Sequence, residues 1–458
     1  MKSWKRMLGL DGAVAYTFLA RSVNIVGSTG TVLLITHFLS PVEQGYYYTL
    51  ISLVALQLVF EMGFSFVVQQ LAAHECIHLL IEADGSVNGD AVAHARLAST
   101  LQLSLRWYTL AAAAMGLILA PLGMVFFARH AAAGAAQVAW QGPWLLAVAA
   151  LIPFLWCTPF YSFLEGCGKV RAVAAMRLRQ AVAASLCAWV PMLFHRGLYS
   201  PAMMIVGQTG TGFFFLVSHR RLLGGLLRHP ARKATISWNR EVWPFQWRIA
   251  VSWMCSYFTI QVLIPIIFAL RGAVEAGQMG MSLSITGYMS VLALAWSSTK
   301  TTPFGRMIAR REFHELDRLF LRTLGQSMAV YALIGLSACG IAALMPTVTP
   351  RLASRMVSLP LFTALMLAAG ANCVVQNLAV LLRSFKSEPF LAQSLLVASL
   401  SVVMAAFMTP RWGNAGAALS YLVATVGIGL PFAYMIFARA RRGYLAVGTN
   451  AVLEGKVG

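Results

Sequence analysis

Two charged residues, Arg21 and Glu61, lie inside apolar stretches and are the residues best placed to do chemistry. A charge at the centre of a membrane costs roughly 2.5–3.5 kcal/mol on insertion scales, so such residues are usually functional or paired. Pro41 is predicted to lie in the turn between their two helices, and each of the two residues is twenty positions away from it. An antiparallel hairpin would therefore place both at similar depth. The spacing predicts an ion pair facing a polar cavity. The alternative is a structural pair that only locks the two helices together.

Other polar side chains at membrane depth could contact a transported molecule. Amide groups can hydrogen-bond the hydroxyls of a sugar, but they can equally bond a neighbouring helix, and both roles stay open. Two basic residues, Arg248 and Lys300, lie near the predicted inner ends of their helices. They could bind a phosphate group, or could anchor the chain at the lipid headgroups. Together with Arg21 and Glu61, the candidate cavity residues are Asn24, Gln57, Arg248, Gln261, Lys300, Asn372 and Gln376.

Enzyme motifs are weak in this chain. His74, Glu75 and His78 match the H-E-x-x-H pattern of zinc peptidases, but no third ligand is evident and the motif lies where a helix leaves the membrane. The glycines at 165–169 lack the spacing of a phosphate-binding loop, which argues against an ATPase. A glycosyltransferase or oligosaccharide polymerase would need a large acidic external loop. We predict a protein that is not an enzyme, with no catalytic or metal-binding residue and with a membrane zinc peptidase as the less favoured alternative.

The composition indicates what kind of fold must position these residues. The chain has 458 residues, of which 59% are apolar and 11% charged, and its mean hydropathy is +0.71. Soluble domains contain about 45–50% apolar and about 25% charged residues, so a soluble or disordered protein is excluded. The apolar runs are continuous rather than alternating, which favours an all-α polytopic membrane protein over a barrel. The seven cysteines form no C-x-x-C pattern and are predicted to be small buried side chains.

The apolar runs predict about twelve transmembrane helices, since a span needs roughly 20 residues. Many of the turns between them carry proline or glycine. The first run follows three basic residues but is too long for a signal peptide, which predicts an uncleaved span. The predicted spans are residues 12–37, 45–71, 105–128, 143–164, 172–194, 199–218, 245–270, 277–304, 323–346, 357–382, 388–409 and 413–438.

The distribution of charge predicts how the chain is oriented. The formal net charge is +20, from 35 Lys and Arg against 15 Asp and Glu. With the N-terminus inside, 28 of the 35 basic residues fall on the cytoplasmic side, as the positive-inside rule requires. The basic residues form short clusters between spans and not one basic domain, which argues against nucleic-acid binding. We therefore predict a multi-pass protein with both termini in the cytoplasm.

The two halves of the chain resemble each other. The sequence V-E-Q-G at 42–45 lies between the first two spans, and V-E-A-G at 274–277 lies between the seventh and eighth. The same motif six spans later indicates a duplication, and an even number of spans makes the repeats parallel. The predicted organisation is an N-terminal six-helix lobe at 1–218, a basic cytoplasmic linker at 219–244, a C-terminal six-helix lobe at 245–438 and a cytoplasmic tail at 439–458.

Several short motifs follow one another in a recognisable order. After Arg21 and Asn24 come L-S-P-V-E-Q-G-Y-Y at 39–47, F-E-M-G-F at 60–64, Q-Q-L-A at 69–72, F-G-R at 304–306, R-E-F at 311–313 and W-G-N-A-G-A-A at 412–418. In this order they resemble the polysaccharide-transporter branch of the multidrug/oligosaccharidyl-lipid/polysaccharide flippase superfamily, especially O-antigen and exopolysaccharide flippases. The resemblance covers essentially the whole chain, but the H-E-x-x-H motif is not part of it.

The resemblance implies a fold and a function. It implies a V-shaped, MATE-like pair of six-helix bundles in the bacterial inner membrane. It also implies transfer of undecaprenyl-diphosphate-linked oligosaccharide from the cytoplasmic to the periplasmic leaflet by alternating access, for surface polysaccharide such as lipopolysaccharide. The expected partners are that glycan, membrane lipids and, as an open question, the polysaccharide polymerase machinery.

The energy source and the main rival function follow from the same residues. No nucleotide site is visible, so no cofactor is expected and a proton or sodium gradient is the default energy source. Glu61 is the candidate that couples transport to that gradient. The runner-up function is a multidrug or organic-cation exporter of the same fold, which would need acidic residues in its cavity.

Overall fold

The computed structural model describes residues 12–82, 86–130, 138–229, 238, 242–298, 300–385 and 389–454. These residues divide between two compact units, Met1–Trp253 and Met254–Gly458, and the boundary falls inside one helix. The predicted division at residues 218, 219–244 and 438 stays a prediction. We describe each unit by itself.

The first unit is formed by long helices that are interrupted near the second predicted span. A short 3₁₀ turn at Cys76–His78 leads from α4 into a hairpin, and a second one at Gly197–Tyr199 precedes α8. In chain order its elements are α1 (Gly12–Phe38), α2 (Pro41–Val54), α3 (Gln57–Glu61), α4 (Phe64–Glu75), β1 (Leu79–Ile81), β2 (Val87–Gly89), α5 (Ala91–His130), α6 (Gln141–Gly166), α7 (Val170–Leu193), α8 (Ser200–Ser218), α9 (Arg220–Arg228) and the first part of α10 (Trp243–Ile260).

The second unit is helical throughout its described residues. Its last span contains a seven-residue π-helical segment, Val423–Gly429, between two α-helices. After the remainder of α10, its elements are α11 (Leu263–Arg271), α12 (Ala273–Ser298), α13 (Thr301–Ala309), α14 (Phe313–Val348), α15 (Pro350–Ala353), α16 (Leu359–Arg383), α17 (Leu391–Trp412), α18 (Asn414–Leu422) and α19 (Leu430–Glu454).

The prediction of an all-α membrane protein is confirmed, with a lower count of spans. Each of the twelve predicted segments is helical over most of its length. Within the described residues, however, nine helices are long and apolar enough to cross a membrane, or ten if the bent pair Pro41–Glu61 and Phe64–His78 is one span. Val170–Leu193 and Ala273–Ser298 fall outside this count. The first carries Arg171, Arg177 and Arg179, and the second is rich in glycine and serine.

The second predicted span is broken at Met62 and Gly63. Both residues have left-handed backbone angles, with φ of 53° and 64°, and the helices on either side are bent by 42°. A β-carbon on Gly63 would lie 2.6 Å from Cγ2 of Ile249 on α10, so both the angle and the close packing require glycine. The F-E-M-G-F motif therefore encodes a break in the helix, with Glu61 as the last residue before it.

A small antiparallel hairpin follows the second span and was not predicted. Leu79 pairs with Gly89 and Ile81 with Val87. The side-chain amide of Asn88 donates to Glu82 at 2.7 Å across the hairpin. A two-stranded ribbon of this size is marginally stable alone and depends on its neighbours. Its strands are only three residues long, which is too short for a clear alternating pattern in the sequence.

The predicted linker and tail both contain helix. In the linker, α9 buries Leu222, Leu223 and Leu226, and its arginines are exposed. The side-chain amide of Gln102 on α5 donates to the carbonyls of Leu227 and His229 at 3.2 and 3.0 Å, which satisfies free groups at the end of α9. In the predicted tail, residues 439–454 continue α19.

The interior of the first unit is built around close contacts between aromatic rings and glycine. Trp144 on α6 is fully buried, and its indole nitrogen donates to the carbonyl of Ala120 at 3.0 Å. A β-carbon on Gly123 would lie 2.1 Å from that ring, so the glycine makes room for the tryptophan. Tyr46 stacks on Phe127, and Trp140 contacts the same ring at a tilted angle. Packing of this kind holds α2, α5 and α6 together.

The second unit contains an aromatic cluster in its interior and an ion pair between buried Asp317 and half-buried Arg441. Phe304 and Phe313, from the F-G-R and R-E-F motifs, both belong to the cluster. Next to it, Arg441 donates twice to the carboxylate of Asp317, at 2.8 and 2.6 Å, and Tyr444 donates to the same carboxylate at 3.1 Å. This arrangement fixes the start of α14 to the far part of α19.

Candidate functional site

Glu61 lies at the helix break and is bound by hydroxyl groups. The phenol of Tyr108 on α5 is 3.4 Å from Oε1 of Glu61, a long hydrogen bond, and Ser65 on α4 also bonds the carboxylate. The Glu61 side chain is half-buried within the unit. An acid whose partners among the described residues are hydroxyls can accept a proton or a cation, which is the chemistry expected of a coupling residue.

The expected ion pair between Arg21 and Glu61 is wrong. Among the described residues, the partners of Glu61 are Tyr108 and Ser65. Helix α1, which carries Arg21, packs along α7, where Trp189 donates to Thr31 at 3.0 Å. Equal distance from the turn gives equal depth only for two straight antiparallel helices, whereas α2 ends at Val54 and Glu61 lies on the separate helix α3.

An aromatic group surrounds the break. Phe64 lies between Trp107 and Tyr108 of α5, and Trp238 stacks on Trp107 with ring centroids 4.9 Å apart. The indole nitrogen of Trp107 is buried and has no hydrogen-bond partner among the described residues. Composition and spacing could not identify these residues, because aromatic side chains in an apolar helix look like ordinary core.

Two glutamines of the first unit have unsatisfied buried groups. In the described part of the chain, Oε1 of Gln57 and both polar atoms of the Gln246 side chain lack a partner. Gln246 is completely buried. An unpaired buried amide costs about 1–3 kcal/mol, so these groups are usually satisfied by water, a ligand or a second conformation. Gln57 was predicted from the sequence and Gln246 was not.

The basic candidates of the first unit lie on different helices. Arg21 is half-buried on α1, and Asn24, one turn further on, is exposed. Arg248 is exposed on α10, with its guanidinium carbon 5.5 Å from the centre of the Trp247 ring. That contact is a cation–π interaction, which orients the guanidinium without neutralising its charge.

The remaining candidates belong to the second unit and are half-buried. Gln261 lies in the break between α10 and α11, and Lys300 precedes the first residue of α13. Asn372 and Gln376 lie one turn apart on α16. The nine candidates are thus divided between the two units, and their assembly into one cavity stays a prediction.

A neighbouring amide on α16 has a structural role. Asn377 is fully buried and bonds Ser297, Ser327 and the carbonyl of Cys373. Ser327 in turn donates to the carbonyl of Ala293 at 2.8 Å. This network links three helices and satisfies every polar group of the Asn377 side chain. For this residue the helix-packing interpretation is correct.

The repeated V-E-x-G motif has a role at the start of a helix in both halves. Glu43 and Ser40 bond each other's backbone nitrogens at 2.8 and 3.2 Å, which forms a capping box on α2. Glu275 lies in the first turn of α12, pairs with Arg271 at 3.1 Å and accepts from the backbone nitrogen of Asn414 at 3.1 Å. Glu275 therefore also positions the W-G-N motif.

Replacing Gly413 by alanine is expected to destabilise the second unit by about 1–3 kcal/mol. Gly413 has φ of 53°, and a β-carbon there would lie 2.3 Å from a carboxylate oxygen of Glu275. The measurement is the thermal midpoint of unfolding in detergent. Gly287→Ala is the control, because this helical glycine has open space around it and should tolerate alanine or gain stability. Equal midpoints for the two variants would contradict the prediction.

The H-E-x-x-H motif does not form a zinc-peptidase site. The α-helix ends at Glu75 and continues as a 3₁₀ turn, so the two histidines do not share one α-helical face. Glu75 is buried and pairs with Arg96 at 2.8 Å, and His74 is exposed. Among the described residues, no group of three or more His, Cys, Asp or Glu could hold a metal ion. Glu75 therefore joins α4 to α5.

Solved structures of transporters have a similar arrangement of helices. A multidrug resistance MATE family transporter of the MOP superfamily, in an inward-facing conformation, aligns over 94% of this chain and 99% of its own, with a TM-score of 0.62 and 12% identity. The chain has the fold of the MATE transporters. The MATE transporter VcmN of Vibrio cholerae is similar over 94% of this chain and 97% of its own, with a TM-score of 0.56 and 14% identity.

Other comparisons are consistent with this MATE fold and add no family. A MOP superfamily transporter from Pyrococcus furiosus, described as having reversed pocket polarity that suggests a different function, aligns over 94% of this chain and 96% of its own, with a TM-score of 0.56 and 13% identity. No protein-family description and no curated protein matches the sequence. The fold and the apolar helices show a multi-pass membrane protein whose structural neighbours are transporters.

Proposed function

We propose that the chain is a flippase that moves an undecaprenyl-diphosphate-linked oligosaccharide from the cytoplasmic to the periplasmic leaflet. The observation that carries this proposal is the sign of the charges among the candidate cavity residues. Arg21, Arg248 and Lys300 are basic, and Glu61 is the one acidic candidate. A diphosphate needs cationic partners, and arginine offers several donors in one plane. The MATE fold supports transport by alternating access.

The environments of two of these cations support the same cargo. Arg248 is exposed on α10, and Lys300 is half-buried at the start of α13. Neither forms an ion pair within the described part of the chain. Their charges are therefore available to an anionic headgroup. The amides of Gln57, Asn372 and Gln376 would bond sugar hydroxyls, and the lipid tail would stay in the bilayer.

The fold alone does not choose the cargo. The Pyrococcus furiosus transporter shows that pocket polarity differs among proteins with this fold. A multidrug or organic-cation exporter is the second candidate, and Glu61 favours it, since an acid can bind a cation. The two functions make opposite demands on charge: the flippase needs the arginines, whereas the exporter needs only Glu61.

The test is the fate of the lipid-linked glycan. Deleting the gene is expected to accumulate undecaprenyl-diphosphate-linked glycan that faces the cytoplasm. Proteoliposomes that contain the purified protein are expected to transfer this glycan, whereas liposomes without the protein are not. Normal transfer of the glycan in the deletion strain, together with uptake of organic cations by the reconstituted protein, would overturn the flippase in favour of the exporter.

Replacing Arg21 by alanine is expected to reduce transfer of the glycan about tenfold or more, since a charge-assisted bond to phosphate is worth roughly 1.5–3 kcal/mol. Arg21→Lys should recover part of the rate because it keeps the charge. Arg411→Ala, which removes an exposed arginine from the end of α17, is the control and should transfer normally. Initial transfer rates are compared at equal amounts of folded protein. Normal transfer by Arg21→Ala would remove Arg21 from the site.

A further inference from the structure

Two thiols meet where the second and fourth predicted spans end. Cys76 directly follows α4, and Cys167 directly follows α6. Their side chains hydrogen-bond each other. This pair could not be predicted from the sequence, because ninety residues separate the two cysteines and no C-x-x-C pattern is present. The contact depends entirely on how the helices pack.

The packing around the pair is tight. A β-carbon on Gly166 would lie 2.5 Å from the carbonyl oxygen of Gln69 and 2.8 Å from the β-carbon of Ala72, so α6 meets α4 without intervening side chains. Gly166 is therefore a close-approach point directly before Cys167. This contact brings the ends of α4 and α6 close together.

The two cysteines differ in access and in protonation. Cys76 is half-buried, whereas Cys167 is 9% exposed. The hydrogen bond to Cys76 and burial raise the pKa of the Cys167 thiol, so Cys167 keeps its proton. Cys76 is thus the sulfur that a small oxidant reaches first, and Cys167 is the neighbour that can resolve its oxidised form.

The surroundings of the pair are polar. Glu75, paired with Arg96, lies beside Cys76, and Lys169 lies two residues beyond Cys167. The charge distribution of the sequence predicts this end of the helices to be cytoplasmic. Cytosolic disulfides in ordinary bacteria are mostly transient and redox-sensing.

We propose that Cys76 and Cys167 form a reversible dithiol–disulfide site that responds to hydroperoxides. The Cys76 thiolate attacks one oxygen of hydrogen peroxide, which gives a sulfenic acid at Cys76 and releases hydroxide. The sulfur of Cys167 then displaces the hydroxyl group, which leaves as water with the Cys167 proton, and the disulfide forms. In total, two thiols are oxidised and one peroxide is reduced to two waters. A cellular dithiol reductant returns the pair to the thiols by exchange.

The disulfide would tie α4 to α6 covalently. Helix α4 begins directly after the break at Met62 and Gly63, so the disulfide would fix the helix on one side of that break. This proposal does not depend on the transported molecule, and its tests involve no transport.

The test uses purified full-length protein treated with hydrogen peroxide and mapped by mass spectrometry without reduction. A cross-linked peptide pair containing Cys76 and Cys167, lighter by two hydrogens and lost on adding dithiothreitol, is the expected result. Cys76→Ser should give no cross-link. Cys187 and Cys339, which are half-buried elsewhere, are the internal controls for access and should stay reduced at the same dose. A second readout is the thermal midpoint, which peroxide should raise in the wild type and leave unchanged in Cys76→Ser.

Three results would overturn the proposal. One is that both thiols remain open to alkylation at doses that oxidise Cys187 or Cys339. Another is oxidation of Cys76 to sulfinic acid while Cys167 stays a thiol. The third is cross-linking only between separate molecules. Because Cys76→Ser could fold poorly, Cys167→Ser is measured in parallel, and a cross-link between Cys76 and Cys167 in the wild type is informative without either variant.

Discussion

Replacing Glu61 by glutamine is expected to abolish gradient-driven transport, with at least a tenfold loss of rate, while folded protein is retained. Glutamine keeps the size of the side chain and can still bond Tyr108 and Ser65, but it cannot gain and lose a proton or balance a bound cation. An acid at a break in a membrane helix is costly to keep, and such residues commonly mark ion or proton pathways.

The measurement separates coupling from binding of the transported molecule. Proteoliposomes carrying the variant are given a proton gradient, a sodium gradient or neither, and transfer of the lipid-linked glycan is followed in each. We expect exchange without a gradient to survive in Glu61→Gln, because the basic residues are intact. Tyr108→Phe is the matched control, since it removes one hydrogen bond to the acid and keeps the acid itself. Its loss of rate should be only a few-fold. Full gradient-driven transfer by Glu61→Gln would remove Glu61 from the coupling mechanism.

Replacing Asp317 by alanine is expected to destabilise the second unit by about 2–4 kcal/mol. The substitution leaves the Arg441 guanidinium without its two short bonds and the Tyr444 hydroxyl without its acceptor, beside the aromatic cluster of α13, α14 and α16. Asp317 is 12% exposed in this pair and Arg441 39%, so solvent recovers part of the loss on the arginine side. The thermal midpoint of the detergent-solubilised protein reports the change.

The same chain offers an exposed ion pair as the control for Asp317→Ala. Arg310 and Glu312 are 3.9 Å apart, and both side chains are more than 40% exposed. Exposed pairs contribute about 0–1 kcal/mol, so Glu312→Ala should leave the midpoint almost unchanged. If Asp317→Ala and Glu312→Ala lowered the thermal midpoint by the same amount, the Asp317–Arg441 pair would not stabilise the second unit more than the exposed pair does.

The type and the position of the helices could be predicted because the membrane imposes a simple length rule. A run of about twenty apolar residues must be helical to satisfy its backbone groups in lipid, and this rule placed every long helix. The break at Met62 and Gly63 could not be predicted in the same way. A glycine inside an apolar run is common in membrane helices, and only the contact with Ile249 and the left-handed φ show that this one interrupts the helix.

The candidate site was harder to predict than the fold. Sequence distance gives the depth of a residue along a helix but not the direction in which its side chain points. Arg21 and Glu61 lie at equal distances along the chain from Pro41, yet Glu61 bonds Tyr108 and the helix of Arg21 packs on α7. The partners Tyr108, Gln246 and the thiol pair Cys76–Cys167 carry no signal in the sequence, because each depends on contacts between distant segments.

Helix α5 has a practical consequence for watching the protein work. Its forty residues would extend about 60 Å at 1.5 Å per residue, whereas the hydrocarbon layer is about 30 Å thick. Roughly half of this helix must therefore project beyond the hydrocarbon layer if it crosses the bilayer upright, whichever way the chain is inserted. A small tilt of α5 within the bilayer would move the end of its projecting part by a larger distance. A fluorophore or spin label on those projecting turns would make this displacement large enough to follow in single molecules.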